Sequence, residues 1–343
     1  MLQYLRKQLV MGAVLATFGA AGAVMAGQAN DIAGAGGTAI YPVLSQWADA
    51  YHKETGVAVN YQAIGSGGGI KQIESKTVAF ANSDKPLKPA ELSANQLIQF
   101  PGVIIGITPV VNLPGVKPGE MVLDGATLAD IYLGKITKWN DPRIVALNKS
   151  MTLPDTTITT VHRSDGSGTT FNFANYLSKV SKEWADKIGA DTSVSWPNGV
   201  GGKGNAGVAS FVNQVKGSIG YVEYAYVIQS KMVYTRMMNA DGKVVSPDLK
   251  AFQAAAANAD FSKADDFYLI LTNQPGPGSW PITAATYMLM RKDYAQADNA
   301  KVLKFFRWFL QNGQSAAEKL EYVSLPENTV KLIEAYWKKQ LGM

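Results

Sequence analysis

The sequence carries one local device twice: Gly65-Ser66-Gly67 and Gly166-Ser167-Gly168 each stand between a run with strand character and a run with helical character. A strand that turns through glycines into a helix is a joint of an α/β fold. It leaves the first N–H groups of the helix unpaired beside the positive end of the helix dipole, and so aims the turn at an anion. Ser66 and Ser167 each add a hydroxyl. Alone, either turn also reads as a plain flexible connection. In corresponding positions of two domains, they predict helix starts converging on one small, multiply charged ligand from opposite sides of a cleft.

The surrounding pattern supports two α/β domains. Asp31 to Gly34 reads as a short strand, followed by a glycine-rich turn, Gly34-Ala35-Gly36-Gly37, closed by Thr38. Ile40, Leu44, Trp47 and Tyr51 then form one stripe of a helix that stops at Gly56. Val57 to Tyr61 reads as a strand, Ile70 onward as a helix, and Ala79-Phe80-Ala81 as a strand that delivers Asp84 at its end. Val103 to Val111 reads as a strand crossing between two bodies of structure, with a boundary at the Pro/Gly-rich Pro114 to Gly119. The middle region repeats the grammar: strand Thr157 to Val161, turn Ser164 to Gly168, and a helix with Phe173, Leu177 and Val180 on one face. After the Gly/Pro cluster at Pro275 to Pro281 come a strand, Tyr287 to Met290, and helices around Val302 to Leu310 and Val330 to Leu341. The expected division is a discontinuous lobe of residues 27–112 and 283–343, with residues 113–282 inserted as a second lobe. A cleft between such lobes can close on a ligand like a hinge.

Arg6 and Lys7, the apolar stretch Leu9 to Ala20 and the small residues ending at Ala26 have the layout of a secretory signal peptide, residues 1–26. Removing Arg6 and Lys7 from a chain of net charge +5 leaves +3, spread without a basic run, so nucleic acid is not an expected partner. The chain has no cysteine, which rules out disulfides, a thiolate metal site and the lipid-bearing cysteine of a bacterial lipoprotein. A freely diffusing exported protein is retained by a second envelope, which points to a Gram-negative periplasm. His52 and His162 are the only histidines and form no metal-ligand pair, and no metal or cofactor is expected.

The second turn is the more informative. Arg163-Ser164-Asp165 places a guanidinium just before the donors of Ser167, Gly168 and Thr169, with a carboxylate two residues on that can hold its fork in place. Gly34, Gly36 and Ala39 also fit a dinucleotide fingerprint, with Glu54 as the ribose acid, but free dinucleotides are scarce outside the membrane. Lys203 is followed by Gly204, which excludes a Walker loop. Ser167 as a nucleophile with His162 would make a phosphate-ester hydrolase, but no G-x-S-x-G elbow is present.

Taken together, the stretches GAGGTAIYPVLSQWADAYHKETG, NYQAIGSGGGIKQI, DGATLADIYLGKITKWNDP, RSDGSGTTF, WPNGVGGKGN, GYVEYAY and NQPGPGSWPIT resemble the periplasmic phosphate-binding proteins of Pst-type ABC importers over nearly the whole mature chain. The resemblance implies a two-lobed type II periplasmic binding-protein fold. It implies a non-enzymatic monomer that captures inorganic phosphate and delivers it to the membrane permease of an ABC importer. Carried over by position, it implies a phosphate site of Thr38, Ala39, Ser66, Asp84, Arg163, Asp165, Ser167, Gly168 and Thr169. Asp84 would accept the ligand's proton. An aromatic residue commonly stands in the family where this chain has Ala39, and the path of the loop through Ile40-Tyr41-Pro42 departs from the usual pattern. Binding of another tetrahedral or plate-like oxyanion is the nearest alternative, and a structural or adhesive role the plainest.

Overall fold

A computed structural model describes residues 31–343; the expected leader, residues 1–26, lies outside the described residues. The strands are β1 (Ile32–Gly36), β2 (Val59–Ala63), β3 (Phe80–Ser83), β4 (Leu97–Asn112), β5 (Val122–Leu123), β6 (Thr159–Arg163), β7 (Val200–Gly202), β8 (Ser218–Glu223), β9 (Val233–Tyr234), β10 (Arg236–Met238), β11 (Val244–Val245) and β12 (Thr283–Arg291). Nine of them form one sheet, ordered β2-β1-β3-β12-β4-β8-β6-β7 with β9 also on β4, and β11-β10-β5 form a small second sheet. The interleaved helices make the fold α/β.

The sheet divides at β4. Leu97 to Gly106 pair antiparallel with β12, whereas Ile107 to Asn112 pair antiparallel with β8. One continuous strand therefore belongs to both halves, one built on β1, β2, β3 and β12 and the other on β6, β7 and β8. The strand expected over Val103 to Val111 starts six residues earlier, at Leu97. It runs through Pro101, where the β12 ladder shifts register between Thr286 and Tyr287, because a proline has no N–H to give the ladder.

Aromatic groups pack on both sides of β4 within one continuous core. In the first half, Trp47 stacks on Phe309 at 4.4 Å between ring centres, and Phe100 meets Phe306 and Trp337 edge-on. In the second half, Phe173 stacks flat on Tyr221 at 4.1 Å, with Tyr132 edge-on to both. The stripe Ile40, Leu44, Trp47 and Tyr51 is buried as its spacing predicts, and Gly56 ends that helix in the left-handed region.

Two local expectations change. Gly34 to Gly36 are not a turn but the end of β1, where the Phe80 ring lies against Gly34 and Asn82 against Gly36. These glycines serve sheet packing rather than a dinucleotide loop. The helix expected from Ile70 begins at Ser66 and runs to Glu74. Three glycines in its first turn are poor helix formers, but packing overrides propensity: a Cβ on Gly69 would lie 2.5 Å from Gly36 Cα, so this helix seats backbone to backbone on β1.

Candidate functional site

The residues expected to bind a ligand are 38, 39, 66, 84, 163, 165, 167, 168 and 169, and the fold brings all of these stretches to the seam between the halves. Ser66 starts its helix one residue after Gly65, whose φ of +89° favours glycine and whose missing side chain admits Asp165 Oδ2 from the other half. Ser167 caps the helix Gly168–Val180, its Oγ accepting the N–H of Thr170 at 3.0 Å. The two turns meet directly: the N–H of Gly67 donates to the carbonyl of Gly166 at 3.0 Å. A Cβ on Gly168 would lie 2.5 Å from Ser66 Oγ and 2.6 Å from Asp84 Cβ.

The hydroxyls share a polarity. Ser66 Oγ accepts from the N–H of Asp84 at 3.2 Å. Thr38 Oγ1 accepts from Asn205 twice, from the backbone N–H at 3.2 Å and from Nδ2 at 2.8 Å. Because Ser167 Oγ is likewise an acceptor, each of the three keeps its one proton to give away. Gly168 and Thr169 N–H belong to the first turn of their helix, which has no intrahelical partner for its leading donors.

Arg163, at the end of β6, is buried, and its fork is held by Asp165: Nε donates to Oδ1 at 2.8 Å and Nη2 to Oδ2 at 2.5 Å. Nη1 donates to Thr169 Oγ1 at 3.4 Å. Asp165 also accepts the N–H of Gly204 at 2.9 Å. Burial alone would raise the Asp165 carboxyl, but the bonds and charge of Arg163 together hold it below the usual carboxylate range.

Asp84, 1% exposed, directly follows β3. Its Oδ1 accepts from Thr286 Oγ1 at 2.8 Å, and its Oδ2 lies 3.5 Å from the donor Thr169 Oγ1. Burial, opposed by the Thr286 bond and the Arg163 charge, pushes its carboxyl up to about 6. Ala39 differs from the rest: its side chain is fully buried in the core, and its carbonyl is taken by the Tyr322 hydroxyl at 2.6 Å.

Several residues at the seam escape sequence reasoning. Thr286 reaches Asp84 from 202 positions away. Asn172 Nδ2 bonds the carbonyls of both Asp84 and Gly168, and the Tyr226 hydroxyl donates to the Thr38 carbonyl at 2.8 Å. Only Asn172 left a local trace, one helical turn beyond Gly168. His162 is turned elsewhere: its ring stacks on Trp196 at 4.8 Å and its Nδ1 faces the Arg163 carbonyl. With Ser167 Oγ engaged as a helix cap, the two do not form a nucleophile and base.

The arrangement gathers donors from both halves, one fixed guanidinium fork and a buried carboxyl able to accept a proton, the groups a small oxyanion would use. The family model described as PBP superfamily domain matches residues 23–312. The phosphate-binding protein PstS of Xylella fastidiosa (strain 9a5c) is 57% identical over 310 residues, covering 90% of this chain and 85% of the relative. The protein of the same name in Haemophilus influenzae is 52% identical over 315 residues, covering 92% and 94%. Among solved structures, a high affinity periplasmic phosphate-binding protein (PfluDING) bound with phosphate aligns with a TM-score of 0.70 at 21% identity, over 89% of this chain and 93% of that one. That likeness is one of fold.

Proposed function

Because the chain belongs to the PBP superfamily and, within it, to the phosphate-binding proteins PstS, we propose that it captures inorganic phosphate in the periplasm and hands it to the permease of an ABC importer without altering it. The protein works as a monomer of two lobes, residues 27–112 with 283–343 and residues 113–282. Phosphate sits where Thr38, Ser66 and Ser167 donate hydroxyl protons, Thr169 turns its proton from Asp84 to the ligand, Gly168 gives its N–H, and Arg163 the edge that Asp165 does not hold. Asp165 holds Arg163. Ala39 joins through its backbone alone, since its side chain faces the core.

The observation that carries this reading is Asp84, a buried carboxyl set among donors. In an anion site a carboxylate repels, and its use is selection. Phosphate near neutral pH keeps a proton and can donate it to Asp84. Sulfate, fully ionised, has none, and would leave two like charges facing each other in a water-poor site, at a cost of several kcal/mol. Closure follows from the same contacts, because a ligand touching both halves favours the state in which they meet.

Thermal unfolding of the mature protein with phosphate, with sulfate and with no ligand tests the proposal. Phosphate raises the melting temperature, since a ligand bound only by the folded state stabilises it, and sulfate does not. Equal shifts with both anions would discard proton-based selection; no shift with either would discard the function.

A further inference from the structure

The stretch Gly202-Lys203-Gly204-Asn205 is no Walker loop, yet among the described residues it delivers the one side chain that bonds the Thr38 hydroxyl from the β6–β8 half. Asn205 is fully buried at the start of the helix Gly204–Gln214. Its Oδ1 is fixed by the N–H of Glu223 at 2.9 Å, so its Nδ2 must face Thr38. There Nδ2 and the Asn205 N–H both donate to Thr38 Oγ1, at 2.8 and 3.2 Å.

A hydroxyl oxygen has two acceptor positions and one proton. With both positions filled, Thr38 can only donate. We propose that Asn205 is a positioning residue that sets this polarity: it makes Thr38 an obligate donor to an oxyanion and does so only when the two halves are together, so that closure and readiness to bind are one event. Tyr226 supports the same turn from the same half through the Thr38 carbonyl, but it cannot set the hydroxyl. Asn205 itself need not touch the ligand. The inference rests on the phosphate reading above and adds the residue that couples one of its contacts to lobe closure.

The test is a double-mutant cycle read by calorimetric phosphate affinity, with wild type, Asn205→Leu, Thr38→Val and the double variant. Asn205→Leu weakens phosphate binding about threefold to tenfold in the native background, the size of one neutral hydrogen bond. In the Thr38→Val background it costs less than about twofold, because there is no hydroxyl left to orient. Equal losses in both backgrounds would overturn the proposal and leave Asn205 as scaffolding for the Glu223 amide. If Asn205→Leu does not fold, Asn205→Asp keeps the acceptor for Glu223 and is read through the same cycle, in which a charge effect common to both backgrounds cancels. Wild-type protein that binds no phosphate would overturn the functional reading and this inference with it, whereas normal binding with an additive cycle overturns this inference alone.

Discussion

The amide of Gly67 donates to the carbonyl of Gly166 at 3.0 Å, so the two Gly-Ser-Gly turns, 99 residues apart by their numbers, touch backbone to backbone across the seam. A Cβ on either glycine would lie 3.2 Å from the other's Cα, so a side chain at this contact would push the facing backbone back. The space left for a guest is set by main chain, which has few ways to yield.

Gly168→Ala therefore acts on closure and not on the local helix. The added Cβ would meet Ser66 Oγ at 2.5 Å and Asp84 Cβ at 2.6 Å, both on the opposite half. Alanine suits a helix better than glycine, so the ligand-free protein keeps its stability within about 1 kcal/mol. Phosphate affinity falls by at least about 2 kcal/mol, of the order typical for overpacking a tight contact. Paired melting curves and calorimetry check it, and unchanged affinity would mean that the ligand-bound seam is looser than the contacts described here.

Asp84→Asn changes selectivity. An amide can donate as well as accept, so the penalty on a fully ionised anion disappears and sulfate gains on phosphate by about tenfold or more. Competition titration with both anions reads the ratio. A ratio equal to wild type would place selection in other contacts.

The same carboxyl gives a pH signature in the ligand-free protein. Its folded value, about 6, lies above the ordinary aspartate value of 3.8, so the proton is held more tightly in the folded state. The stability it contributes is therefore complete below about pH 4 and is lost as pH rises through about 6, in total about 3 kcal/mol. Asp165 works with the opposite sign: its lowered value adds stability at neutral pH that is lost on acidification. The difference in unfolding free energy between wild type and Asp84→Asn, followed from pH 4 to pH 7.5, isolates the Asp84 contribution; a flat difference would contradict its burial as a titrating group.

Arg163→Ala lowers phosphate affinity by at least about 2 kcal/mol, because a desolvated charge-assisted donor is lost. It also strands the Asp165 carboxylate, which keeps only the Gly204 N–H as its partner from beyond the turn. Arg163→Lys retains the charge but cannot span both oxygens of Asp165, and falls between wild type and alanine. Calorimetry on the three proteins orders them; near-normal affinity of the alanine variant would remove Arg163 from the site.

Much of this was legible in the chain because it is local. The fork of Arg163 and Asp165 spans two residues, the Ser167 cap three, and the stripe through Trp47 one helix. What stayed hidden depends on distance or on packing. Thr286, Asn205 and Tyr226 meet Asp84 or Thr38 only because β12 and β8 lie on either side of β4, and no periodicity announces that. The helix start at Ser66 was hidden for the opposite reason: three glycines read locally as a turn, while the close seat on β1 makes them helical. At Ala39, where the resembled family commonly has an aromatic residue, the side chain lies in the core, a placement that the local sequence does not announce.

β12 is inserted between β3 and β4, although it begins 200 positions after the end of β3 and 171 after the end of β4. The half that carries Thr38, Ser66 and Asp84 thus cannot finish its sheet while the polypeptide is still emerging, because its central strand is among the last to be synthesised. Until β12 arrives, the facing edges of β3 and β4 have no strand between them, and that half stays open at its centre.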